Sequence, residues 1–347
     1  MRILLTADAE LPVPPRLYGG IERILDALVR AFMARGHEVG LVAHRDSTSP
    51  ATAFYPWATD SSLGLANARA NAPVLRRAVR DFRPDVVHSH SRLLWLLGLA
   101  ADPTPKVMSY QREPTGRTIR WSRRLHGRRL VFTGISDYIS NAGRTRGGGD
   151  WTTVPNFVDT TAYTFQPSVP DDAPLVFLSR IEAIKGCHTA IAIAKGSGRR
   201  LLIAGNHHEE GEAGAYWRER ILPELGRNGI EYVGPVDDVQ KNALLGQAAA
   251  MVVPIEWNEP FGIVFAESLA CGTPVISCPR GALPEIVEHG THGFLIKNVE
   301  EGLRAVERLG TLDRAACRAQ VERKYSADVV AGRFLALYRR LLAAPGA

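Results

Sequence analysis

Short apolar runs of four to six residues alternate with helical periodicity along nearly the whole chain, and this pattern restricts the fold more than any other feature. Residues 2–7 (RILLTA) read as a strand. Gly19 and Gly20 then open a helix over 21–35, with Ile24, Leu25, Leu28, Val29 and Phe32 on one face. Gly36 stops it, and residues 38–43 form the next strand. A strand, a helix and a second strand in that order make a βαβ unit, which requires a parallel sheet. Further strands are predicted at 85–88, 106–109, 130–135 and 152–155.

The pattern then restarts. Residues 166–174 (QPSVPDDAP) have three prolines, two acids and no periodicity, as a linker would. Beyond them lie a strand at 175–178, a helix at 185–195 and strands at 200–204, 231–233, 251–254, 274–277 and 293–296. An amphipathic helix over 327–342 closes the chain. At 347 residues, two doubly wound α/β domains are expected. Their limits are 1–165 and 166–325, with a C-terminal helix, 326–347, packing back on the first domain. Open parallel sheets bind ligands at the carboxyl ends of their strands, which points to a cleft between the domains.

Composition excludes several classes. Hydrophobic residues are 45% and charged residues 22%, which suits a packed core and not a disordered chain. No apolar run reaches the roughly 18–20 residues of a membrane span, and the first ten residues are too short and too soon acidic for a secretory signal. Cys187, Cys271, Cys278 and Cys317 form no C-x-x-C pair, so they read as buried free thiols and the expected location is cytoplasmic. The net charge is +6, and the stretch from Arg112 to Arg129, with seven Arg against the single Glu113, accounts for all of it. Within it, residues 118–127 can form a helix with Arg120, Arg123, Arg124 and Arg128 on one face and Ile119, Trp121 and Leu125 elsewhere. Three readings stay open: a solvated face, a dock for an anionic acceptor, and a peripheral contact with anionic lipid at the inner membrane face. Nucleic acid is disfavoured because interleaved aromatics are missing.

The residues that carry chemistry are concentrated in the second half. Glu259-Pro-Phe-Gly-Ile-Val-Phe-Ala-Glu267 follows the strand at 251–254. With Pro260 in a helix's first turn, the amides of Phe261, Gly262 and Ile263 would form an anion site at its N-terminus. Glu259 would then hold neutral hydroxyl groups, because a carboxylate repels a phosphate. Arg180 and Lys185 lie on the loop after the strand at 175–178, where two cations could stabilise charge growing on a leaving phosphate. In the first half, the paired glycines 19 and 20 permit close approach of a ligand to backbone. His88 and His90 end a strand without the acidic or thiolate companions of a metal site. Neither βαβ opening has the G-x-G-x-x-G of a dehydrogenase.

The E-x7-E block resembles the signature of retaining glycosyltransferases of family 4, which have the GT-B fold of two Rossmann-like domains. Tyr18-Gly-Gly-Ile-Glu-Arg23, Asp85-Val-Val-His-Ser-His90, Val154-Pro-Asn-Phe-Val-Asp159, Leu178-Ser-Arg-Ile-Glu-Ala-Ile-Lys-Gly186 and Gly281-Ala-Leu-Pro-Glu-Ile-Val-Glu-His-Gly290 extend the likeness over most of the chain. The resemblance implies transfer of a hexose from a UDP- or GDP-sugar to a hydroxyl acceptor; with no Asp-x-Asp to hold a nucleotide-bound cation, no metal and no cofactor are expected. It casts Glu259, Arg180 and Lys185 as catalytic. Gly19, Gly20, Gly205, Phe261, Gly262, Ile263 and Glu267 would bind the donor, Glu267 through the ribose. His88, His90, Gln111 and Arg112 would lie on the acceptor side. Two departures stand out: Gln111 or Arg112 occupies the place of a histidine common in the family, and Phe157 replaces a usual glycine. With the general base thus unassigned, an epimerase on the same fold and a non-catalytic donor-binding subunit of a membrane assembly remain alternatives.

Overall fold

The structure is a computed structural model that describes residues 1–16 and 19–343. Tyr18 of the first glycine motif and the last residues of the C-terminal segment lie outside the described residues. The chain divides into two compact units, Met1–Asn156 together with the helix from Ala327, and Phe157–Ser326.

In the first unit, β1 (Arg2–Thr6), β2 (Glu38–Ala43), β3 (Ala53–Pro56), β4 (Val86–Ser89), β5 (Lys106–Tyr110), β6 (Leu130–Gly134) and β7 (Trp151–Thr153) form one parallel sheet. Its order is β3-β2-β1-β4-β5-β6-β7. In the second unit β8 (Leu175–Leu178), β9 (Leu201–Ala204), β10 (Ile230–Gly234), β11 (Ala250–Val253), β12 (Val275–Ser277) and β13 (Gly293–Leu295) run β10-β9-β8-β11-β12-β13. Both sheets are Rossmann-like, and each reverses its winding beside its first strand, at β1/β4 and at β8/β11. The central strands are continuous apolar runs because helices cover both faces; Ile3, Leu4 and Leu5 are fully buried. Strand β3 escapes the sequence pattern. It is an edge strand, alternately half-buried and exposed, and it ends in Pro56.

Helix Gly20–Ala34 buries Ile24, Leu25, Leu28, Val29 and Phe32, the predicted face. The last helix, Ala327–Ala343, packs on it through Tyr338, whose ring meets Phe32 edge-on at 5.9 Å. The division at 156/157 leaves residues 157–166 with the second unit, earlier than the proline-rich linker suggests. Arg318 explains why, since it donates to the carbonyls of Thr160, Tyr163 and Ala270 and so ties that segment to the second unit.

Two local starts differ from the pattern. The helix expected from residue 185 begins at Cys187, because Gly186 adopts a left-handed conformation (φ +74°) and closes a short 3-10 turn, Ala183–Lys185. The helix after β11 begins at Ile263, capped by a left-handed Gly262 (φ +79°). Pro260 therefore precedes the helix and does not occupy its first turn.

Candidate active site

In the second unit the loops leaving β8 and β11 meet at the switch point. Gly186 has no room for a side chain, since a Cβ there would stand 2.1 Å from the Pro254 carbonyl oxygen. This contact sets the turn that carries Lys185 against the end of β11. Lys185 Nζ donates to Glu259 Oε2 at 2.7 Å. Trp257 Nε1 donates to the same oxygen at 3.0 Å, and the ammonium stands 4.6 Å from the centre of the indole ring. Lys185 and Glu259 are each only 8% exposed. Such a pair survives desolvation only with its charges matched and hydrogen-bonded. Glu259 Oε1 has no partner among the described residues and is free to accept from a ligand hydroxyl.

The backbone of Glu259 is fixed from the other side. Its carbonyl accepts from Ala282 N at 2.8 Å, and Gly281 packs so closely that a Cβ would lie 2.2 Å from that carbonyl oxygen. Gly205 closes β9 in the same manner, with the carbonyl oxygen of Ser179 1.9 Å from where its Cβ would be. Arg180 is exposed and donates to Glu182 Oε1 at 2.6 Å, so one carboxylate holds its guanidinium at the mouth of the loop.

Glu267 lies within the apolar helix Ile263–Ala270, and its charge has two partners. Oε1 accepts from Lys241 Nζ at 2.7 Å and from the Tyr163 hydroxyl at 2.6 Å. Burial and the adjacent Glu267 carboxylate push the Tyr163 phenol far above its ordinary range, so it remains a donor. Gly262, the cap, and Ile263 and Val264, the first two helical residues, have amides that donate no hydrogen bond among the described residues. Phe261 lies upstream, its ring buried against Tyr325 at 5.5 Å, so its amide does not belong to the helix end.

The first unit has its own crevice at the β1/β4 switch point, a cavity of about 700 Å³. Asp8 follows β1, His90 to Arg92 follow β4, and Gln111 and Arg112 follow β5; all of them line it. His90 is buried, and neither ring nitrogen has a hydrogen-bond partner among the described residues. Burial holds its pKa down to about 3, so it is a neutral ring able to donate and accept one hydrogen bond each. Asp8 Oδ1 is also buried without a partner. Orphaned polar atoms of this kind mark places where a ligand or water completes the network. Gln111 Oε1 accepts from Asn156 Nδ2 at 2.9 Å, which orients the amide, while Arg112 is exposed.

His88 does not line this crevice. It is fully buried, with Nε2 2.7 Å from Ser109 Oγ and Nδ1 2.5 Å from the Tyr338 hydroxyl. Its two nitrogens lock the last helix to the sheet, and burial lowers its pKa far below the usual imidazole value. Gly19 packs against Pro15, whose Cβ would lie 2.7 Å from an added one, and Gly20 begins the helix. Sequence reasoning missed Trp257, Lys241, Tyr163 and Asp8. Of these only Asp8 had a local signal, an acid at the end of a strand.

Asp8 supplies a pH test. Burial, then Glu10 and Glu22, lift its carboxyl to about 6 against the opposing charges of Arg92 and Arg112. An acid raised in the folded state contributes stability that is complete below its unfolded value and is lost as pH rises through the folded one. Asp8→Asn should therefore gain Tm over the parent protein, by a margin that opens between about pH 4 and 6.5 and is flat above. Thermal melts across that range check it; a margin independent of pH would refute the assignment.

Comparison with known proteins agrees with this architecture. Residues 18–162 match the family model described as Glycosyltransferase Family 4, and residues 160–321 the one described as Glycosyl transferases group 1. A glycogen synthase of Mycobacterium tuberculosis is 27% identical over 345 residues, covering 84% of this chain and 81% of that protein. A D-inositol 3-phosphate glycosyltransferase of Mycobacterium bovis is 31% identical over 184 residues, 50% of this chain and 38% of its own length. Among solved structures, AviGT4, a glycosyltransferase involved in avilamycin A biosynthesis, superposes with a TM-score of 0.70 at 24% identity, covering 99% of this chain and 98% of its own. Anabaena HepE in complex with UDP-glucose gives 0.75 at 16% identity, covering 98% of this chain and 100% of its own. Two Rossmann-like sheets with polar loops at their switch points thus define a GT-B protein. The chain belongs to the family 4 type of glycosyltransferase.

Proposed function

We propose that the protein is a retaining, metal-independent hexosyltransferase that moves a hexose from a UDP- or GDP-sugar to a hydroxyl acceptor, in the synthesis of a glycan, a glycolipid or a glycosylated natural product. The observation that carries this reading is the Lys185–Glu259 contact at the β8/β11 switch point, with one carboxylate oxygen left open. HepE, a neighbour of the same fold, holds UDP-glucose, which supports a nucleotide-sugar donor for this chain as well.

In this reading the donor diphosphate meets Lys185, Arg180 and the free amides of Ile263 and Val264. The bond between the sugar's anomeric carbon and the phosphate oxygen breaks, and negative charge grows on that oxygen. Fixed cations stabilise it there more than in the ground state, which is the largest catalytic contribution such a site can make. Glu259 Oε1 orients the sugar through its hydroxyl groups, and Glu267 Oε2 takes the ribose. The acceptor oxygen bonds to the anomeric carbon on the face the phosphate leaves, and its proton passes to the departing phosphate. The acceptor hydroxyl is held by the crevice of the first unit, where Asp8 and His90 have polar atoms to spare. No step needs a cofactor. The unpaired cysteines suit a reducing compartment, and we place the protein in the cytoplasm.

The test is a thermal-shift screen of nucleotide sugars, followed by transfer to a panel of hydroxyl acceptors and assignment of the product anomer by NMR. Ligand binding raises Tm by mass action. The product should keep the donor's anomeric configuration, and EDTA should leave the rate unchanged. Inversion, or loss of rate with EDTA, would sink the corresponding part. Donor turnover without any acceptor would favour the epimerase, and binding without transfer a non-catalytic subunit.

A further inference from the structure

The basic stretch that accounts for the net charge is not uniform. Arg120 Nη1 donates to the carbonyl of Arg146 at 2.6 Å and Arg123 Nη1 to that of Gly147 at 3.1 Å. These carbonyls end the helix Asp137–Gly147 and have no intrahelical partner, so the two arginines cap it. Arg129 is similarly spent on the carbonyls of Asp102 and Ala100. Arg112, Arg117, Arg124 and Arg128 remain. They are exposed and make no hydrogen bond or ion pair among the described residues.

These free arginines share their surroundings with apolar side chains. In the helix Gly116–His126, residues 117, 121, 124 and 125 follow the spacing of one face. That face carries Arg117 and Arg124 together with Trp121, 59% exposed, and Leu125, 44% exposed. The opposite face, Ile119, Ser122 and His126, is buried. Gly147 lets the helix sit hard against its neighbour, since a Cβ there would be 2.5 Å from that of Ile119. The exposed face is thus held in one orientation. Trp121 also lines the crevice mouth with Leu63, Leu65 and Leu94, all exposed. Glu113, the one acid of the stretch, is taken up by Arg146 and the Tyr138 hydroxyl, so it does not cancel the positive charge.

We propose that this face docks the first unit on an anionic lipid bilayer. Trp121 and Leu125 enter the boundary between headgroups and acyl chains, where an indole can bury its ring and keep its N–H hydrated. Arg117 and Arg124 extend their apolar stems along the same surface and keep their guanidinium groups at the phosphates, while Arg112 just before the helix and Arg128 just after it add exposed positive charge. Singly exposed apolar residues are ordinary on a protein surface; several gathered beside uncompensated cations are not. None of the described helices is long and apolar enough to cross a membrane, so the contact is peripheral. One exposed aromatic on the helix face gives no stacking row for a nucleic acid. Docking would bring the crevice mouth, which shares Trp121, to the headgroup layer.

The test is co-sedimentation of the full chain with vesicles of phosphatidylcholine alone and of phosphatidylcholine with about a third phosphatidylglycerol. Anionic vesicles should bind at least about tenfold more tightly, with the difference shrinking as salt rises. Arg117→Gln/Arg124→Gln should lose the anionic preference, and Trp121→Ser/Leu125→Ser should lose vesicle binding. Both variants should retain the parent's Tm, because these side chains hold nothing inside the fold. Arg120→Gln/Arg123→Gln should instead lower Tm by uncapping the neighbouring helix. Equal recovery on both vesicles overturns the proposal, as does an anionic preference that survives Arg117→Gln/Arg124→Gln. Binding of poly(U) or polyglutamate as tight as that of the vesicles also overturns it.

Discussion

Lys185→Met is expected to slow glycosyl transfer by about 10²–10³-fold and to destabilise the second unit by about 3 kcal/mol, the lower end for breaking one side of a buried ion pair. The two effects have different origins. The rate falls because a cation that would meet charge developing on the leaving phosphate is gone. Stability falls because Glu259 keeps its burial, at 8% exposure, and loses its 2.7 Å partner. Trp257 still donates one hydrogen bond but brings no charge. The double variant Lys185→Met/Glu259→Gln should recover most of the lost stability, since neither side chain then holds an unpaired charge, and should recover none of the activity. Denaturant unfolding and saturation kinetics on the same preparations separate these outcomes. If the double variant is no more stable than the single one, the pair does not hold the site together. If Lys185→Met transfers at the parent rate, the cation has no part in catalysis.

That pair also shows how far the chain could be read before its structure. The residue types and their order around Glu259 pointed to a donor site, and the strand positions were legible because parallel strands covered on both faces are continuous apolar runs. Edge strand β3 was not, since only half of its residues are inside. Helix starts moved where a left-handed glycine intervened, at Gly186 and Gly262. Partners distant in sequence left no local trace: Lys241 and Tyr163 meet Glu267 only through tertiary packing. The arginine-rich stretch was legible as charge but not as structure. Whether an arginine caps a helix or faces solvent depends on carbonyls more than twenty residues away, as Arg120 and Arg123 illustrate.

Gly281→Ala should cost about 10²-fold in transfer rate without touching a single charged group, because displacing a catalytic group by about 1 Å is enough for such a loss. Gly281 has φ +59°, where an alanine carries a backbone penalty of about 1–2 kcal/mol. Its added Cβ would stand 2.2 Å from the carbonyl oxygen and 2.5 Å from the nitrogen of Glu259, closer than such atoms can approach. Something has to move, and what moves is backbone: the segment bearing Glu259, or the turn whose Ala282 N–H bonds to it at 2.8 Å. Either shift carries the carboxylate away from Lys185 and from the place proposed for the sugar. Gly198→Ala is the control. Gly198 is also left-handed, at φ +68°, but nothing lies within 4 Å of its would-be Cβ. It should lose comparable backbone stability and keep its rate. Similar losses of rate in both variants would mean that strain alone, and not the position of Glu259, limits transfer.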